Sequence, residues 1–292
     1  MPNAVVARYS ESDVKDSAKI LTGRTLDADS NYLYRPERHW TGPVKILGFT
    51  HSNGDANQGE AAGDAYLRYL ATHPATAATL ARKLCVRFVS ETPSAALVSA
   101  VANTYLANGT AILPTIKVIF NSAEFWNSRF SKLRRPTENL LASLRILDVQ
   151  IGTDARKALG TLRWMTMSMS NSPLEWSPPN GYPDVAGAWR SCSNLLLQWQ
   201  YHRGLAQNWF TDSFVVPPVI GLYGSVAPAT SGQAIAVLLQ RLVGEQATPA
   251  IQDALHVFLN EPASTPLGRS NLQWYLEHLV PLILDSQYHA LG

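Results

Sequence analysis

Cysteine is nearly absent from this sequence: Cys85 and Cys192 are the only two in 292 residues. Two thiols cannot make the disulfide framework of a small secreted domain, and their spacing neither requires nor forbids a single bridge. Charge is sparse as well, at 16% of residues, and close to balanced, with Lys+Arg 24 against Asp+Glu 22. That balance gives no field to gather nucleic acid or an anionic membrane, so neither is expected as a partner. No apolar run approaches the ~20 residues that cross a bilayer. The opening MPNAVVARYSESD has neither a basic start nor an apolar centre, so it reads as no signal peptide. On that reading Met1 opens either a cytoplasmic chain or a piece of a longer one. Also missing are the GxSxG elbow, the phosphate loop, GxGxxG, HExxH, CxxC pairs and a calcium loop. No cofactor is therefore expected, and whether the chain is an enzyme stays open.

What is present is helical periodicity. From Ala75 onward Leu80, Leu84, Val86, Phe88 and Val89 gather on one side, away from Arg82, Lys83 and Arg87. His73 followed by Pro74 marks the start of that helix. Ser94 opens a second, with Leu97, Val98, Val101, Tyr105 and Leu106 as its stripe, and Asn108-Gly109 ends it. Thr110 is placed to cap a third, carrying Ile112, Leu113, Ile116, Ile119 and Phe120. Ser10, Pro136 and Asp154 signal further starts. Alternation appears only in YLY and VKILGF, around RPERHWTGP. The fold class is therefore all-α: a multi-helix, bundle-like domain with a small β-hairpin or extended arm near residues 31–49 and long irregular loops.

Four stretches follow from this pass: 1–60, an N-terminal helix with the β-like arm and a loop; 61–170, the central helical core; 171–232, irregular aromatic and proline-rich loops with one helix; and 233–292, the C-terminal helices. The last stretch faintly echoes 82–126, RLVGEQATPAIQDALHVFL answering VRFVSETPSAALVSAVANTYL. The first helix and arm have apolar faces with little before them to pack on. That end is expected to be either loosely held or covered by a second copy of the chain, and an N-terminal half not present here is the other expectation.

His39, His51 and Asp55 have side chains suited to metal, but no ligand spacing organises them, so no metal is expected. The loop 171–191 holds four prolines and two glycines, with Trp176, Tyr182 and Trp189 among them. Its length and its rings point to an ordered, functional loop. Trp189 is expected to anchor it, and Trp176 and Tyr182 to be the exposed pair available for stacking. Arg203 is a further candidate, able to grip a carboxylate or phosphate.

The order of motifs resembles the C-terminal part of the bacterial domain-of-unknown-function 1800 family. The residues carrying the likeness are YSESDVKDSAKILTG, the run around His39, Lys45 and Gly48, HPATA, EFW, LRRPTE and PPNGYPDV. They lie between Tyr9 and Arg203. Trp40 stands where that family commonly has aspartate, and Ser170 with Asn171 where it has Gly-Gln or Gly-His. The family's upstream Asn-x-Ala-Arg-Glu-Leu-x-Glu-Leu-His run is missing. The resemblance implies export to the cell envelope and no settled activity. Near its motifs Glu124, Glu138 and His39 are the catalytic candidates. The leading expectation is an accessory or binding module of the envelope, taking a glycan or a protein partner through Trp176, Tyr182 and Arg203. The alternative is a hydrolase of an envelope glycan or ester, completed by the missing N-terminal region.

Overall fold

The protein's structure, a computed structural model, describes residues 9–244 and 247–292. It is 57% helical, with 13 helices and three small two-stranded sheets among the described residues, so the all-α expectation holds. Among the described residues no helix is long and apolar enough to cross a membrane. The chain divides into two compact units. One comprises the chain as far as Cys85 together with Pro93–Ser122; the other comprises Val86–Thr92 with Ala123–Gly292.

In the first unit, α1 (Glu11–Ile20) starts on a reciprocal cap. Ser10 Oγ accepts from the Asp13 amide at 3.2 Å, and the Asp13 carboxylate accepts from the Ser10 amide at 2.7 Å. The single expected hairpin is in fact two. β1 (Arg24–Leu26) pairs with β2 (Tyr32–Tyr34), and β3 (Val44–Ile46) pairs with β4 (Phe49–His51), both antiparallel. YLY turns back because Asp27 accepts from the amides of Asp29 and Asn31, closing a tight turn. VKI turns forward because Leu47 and Gly48 both take positive φ, 49° and 94°, as a two-residue I′ hairpin requires.

Part of the apolar surface of these pieces is covered within the unit, while Val14, Leu26 and Tyr32 stay exposed. Ile20, Val44, Ile46, Ala62 and Tyr66 close into a small core of their own, the last two from α2 (Gly59–Ala71). The unit continues with α3 (Pro74–Phe88) as far as Cys85, then α4 (Ala95–Ala107) and α5 (Ile112–Phe120). α4 buries Leu97, Val101 and Tyr105 as its stripe predicts. In α3 the buried face is Ala77, Ala81 and Cys85, not the larger Leu80 and Phe88. Small residues at i, i+4 and i+8 let neighbouring backbone come close, and Leu80 and Leu84 flank that seam half-buried. Thr110 does not cap α5. It takes φ 69° and returns its amide to the Tyr105 carbonyl, closing α4 instead.

The second unit holds α6 (Ala123–Asn127), α7 (Pro136–Ile146), α8 (Ala155–Ser168) and α9 (Cys192–Ala206). α10 (Ser231–Leu242), α11 (Pro249–Leu259), α12 (Arg269–Leu284) and α13 (Gln287–Ala290) follow. β5 (Gln150–Ile151) and β6 (Phe214–Val215) make one short antiparallel pair. The core forms where α9, α10 and α12 meet, around Tyr201, Leu205, Ile235, Leu238, Leu276 and Leu279. Cys192, at the start of α9, is an exposed, unbridged thiol.

Candidate functional site

The candidates from the sequence fall in separate places. His39 is buried in the first unit, its Nδ1 2.9 Å from the Thr22 carbonyl and its Nε2 2.9 Å from Asn53 Oδ1. Gly59 packs so tightly on it that any Cβ there would collide with the His39 ring and the Tyr34 hydroxyl. His51 Nδ1 accepts from the Asn53 amide, and Asp55 accepts from the Asn57 amide. These three side chains therefore hold loop backbone, and no group of three or more metal-binding side chains gathers among the described residues.

In the second unit Glu124 sits in the first turn of α6. Glu138 lies in the first turn of α7, 2.6 Å from Arg87 and 2.7 Å from Arg135. Burial pushes its carboxyl up, but hydrogen bonds from Arg135 and Arg87 outweigh this and bring it down to about 2. Such a carboxylate stays ionised and can accept protons only in strong acid.

Trp176, Tyr182 and Trp189 form a row of rings, with centroids 4.9 Å and 5.7 Å apart. Trp189 is 7% exposed and donates its indole N–H to the Pro183 carbonyl. Trp176 is 38% exposed, and half-buried Tyr182 spends its hydroxyl on the Ser172 carbonyl. Beside them Ser170 takes φ 56°, a conformation glycine adopts freely, and Asn171 Oδ1 accepts from the Thr137 amide at the start of α7.

Arg203 lies in a different cavity, a groove of about 550 Å³ between α9 and α12. One wall comes from α9, where Trp199 and Arg203 are neighbours at i, i+4. The other comes from α12 and the residue after it, where Glu277, Pro281 and Asp285 repeat every four residues. Trp209 lines the groove too, with the Arg203 guanidinium 5.7 Å from its ring centroid. Trp274 stacks on His278 at 4.3 Å and fixes that ring. Pro281 has no N–H, so the Glu277 carbonyl receives no i→i−4 bond from it.

Behind Asp285 lies a buried polar chain. Asp285 Oδ1 is 2.7 Å from His202 Nδ1, and His202 Nε2 is 2.8 Å from Asn139 Oδ1. Ser143 bonds the Asn139 carbonyl at 3.0 Å and His289 Nε2 at 2.9 Å. Burial, then the nearby charges of His202 and Arg134, bring His289 down to about 3, so it is neutral at ordinary pH. His202 thus holds Asp285, a lining residue of the groove, in one orientation.

Of this groove the sequence offered Arg203 as a ligand-binding residue. Gln200, Glu277, His278 and Asp285 went unnoticed. The available signal was an aromatic and an arginine four apart in a helix, which is weak without its partner helix. No curated protein and no solved structure matches the chain. The family model described as protein of unknown function, DUF1800, matches residues 4–289 and so runs well beyond the motifs ending at Arg203; the chain belongs to that family.

Proposed function

We propose that the protein is a glycan-binding accessory module of the cell envelope and that the groove between α9 and α12 is its binding site. The observation that carries this reading is the pairing of exposed indoles, Trp199 and Trp209, with planar polar groups in one cavity: Arg203, Gln200, Glu277 and Asp285. Sugar rings present apolar C–H faces and hydroxyl edges, which indole faces and paired donors and acceptors satisfy together. The volume falls in the range of small-ligand sites, about 300–1,000 Å³. The envelope location rests on the export that the family resemblance implies. Trp176, 38% exposed, offers a separate stacking surface for a longer chain.

Titration with oligosaccharides of hexose and N-acetylhexosamine, followed by tryptophan fluorescence, tests this. Saturable binding is expected, weakened at least tenfold, about 1.4 kcal/mol, by Trp199→Ala or Trp209→Ala at unchanged melting temperature. Absence of saturable binding across the panel would refute the proposal.

One observation favours a second reading, hydrolysis in the same groove. Asp285 is oriented by a buried histidine, and a second carboxylate, Glu277, lines the cavity. A carboxylate pair can serve as base and acid. Turnover of a bound oligosaccharide that disappears in Asp285→Asn, with binding retained, would establish it.

A further inference from the structure

A second cavity in the same unit, of about 570 Å³, is lined by Arg87, Arg129, Lys132 and Arg134, with the rings of Phe88 and Phe125 beside them. Part of this charge is paired. Arg87 lies 2.6 Å from Glu138 and 3.6 Å from Asp184, Lys132 lies 2.7 Å from Asp184, and Arg135 lies 2.7 Å from Glu138. Three cations therefore share two carboxylates.

Arg134 is different. Among the described residues it makes no ion pair, and its Nη1 donates to the His289 carbonyl. Burial pulls its guanidinium below the ordinary value, with the Glu138 charge acting the other way. A partly buried cation with no counter-ion is costly to the fold and favours a bound anion. Its position is also rigid. The Arg134 amide donates to the Ala290 carbonyl at 2.9 Å, and the Gly292 amide donates to the Lys132 carbonyl at 2.9 Å. Main-chain bonds thus clamp both Lys132 and Arg134 before any ligand arrives, so little ordering is left for binding.

We propose that this cavity binds a phosphate monoester carrying an apolar or aromatic group. Arg87, Lys132 and Arg134 line the cavity beside one lining side-chain carboxylate, Glu138, so its wall is cationic. A phosphate monoester carries close to two negative charges at pH 7. Guanidinium groups match phosphate oxygens in paired hydrogen bonds, and the phenylalanine rings supply the apolar wall.

The test is calorimetric titration of the full chain with phenyl phosphate at low ionic strength. Saturable binding is expected, falling as salt is added and at least tenfold weaker for inorganic phosphate. Arg134→Gln should weaken phenyl phosphate binding at least tenfold in a protein that still folds, whereas Trp199→Ala should leave it intact. Should Arg134→Gln fail to fold, protection of Arg134 from phenylglyoxal by phenyl phosphate in the unaltered protein gives the same answer. Lack of saturable binding, full affinity in a folded Arg134→Gln protein, or no protection of Arg134 would overturn the proposal. Loss of phenyl phosphate binding in Trp199→Ala alone would overturn it too, by placing the ligand in the other groove.

Discussion

Glu138 shows how much a single residue can be asked to hold. Its folded carboxyl titrates near 2, below its unfolded value near 4.5, so the ionised form is preferred in the folded state. Its contribution is then fully present above about pH 4.5 and is lost as pH falls toward 2. Glu138→Gln is expected to cost about 1.5–3 kcal/mol at neutral pH, the range for hydrogen bonds to a charged group. Urea titrations should show that difference shrinking between pH 5 and pH 2. The aromatic row makes a contrasting prediction. Trp189, at 7% exposed, should cost about 3–5 kcal/mol when replaced by alanine. Trp176, far more exposed, should cost less than about 1 kcal/mol on thermal melting.

At the scale of elements, the turn between β3 and β4 depends on one glycine. Gly48 has φ 94°, and an added Cβ would stand 3.1 Å from the Tyr69 hydroxyl, which itself bonds the Leu47 carbonyl. Gly48→Ala should destabilise by about 1–3 kcal/mol, measurable by denaturant titration. Helix starts were legible because capping is local. Ser10, Ser94 and Asp154 each accept an amide within their own first turn. Thr110 misled because the same residue type also closes the preceding helix, and one positive φ decides which. The buried side of α3 misled for another reason: neighbours selected its alanines over its leucines.

For the molecule as a whole, a circular dichroism spectrum with more than half of the residues helical is expected, and a strand-dominated one would contradict the architecture. The weak net charge of +2 conceals local surplus, as at Arg134, because average charge says nothing of where ion pairs close. Composition alone therefore could not reveal the second cavity.

Helical class, most helix starts and the family likeness of the chain were set out in the sequence itself. They depend on interactions spanning three or four residues, or on motifs in fixed order. The buried position of Trp189 was also legible, since a proline-rich loop with several rings must anchor at least one. Pairing of YLY with RTL, the choice of the alanine face in α3 and both cavities were decided only by tertiary structure. Trp199 and Asp285 are 86 residues apart, 285 − 199, and nothing local to either announces the other. They share a groove because α9 and α12 bury their apolar faces in one core, which brings their remaining polar faces side by side.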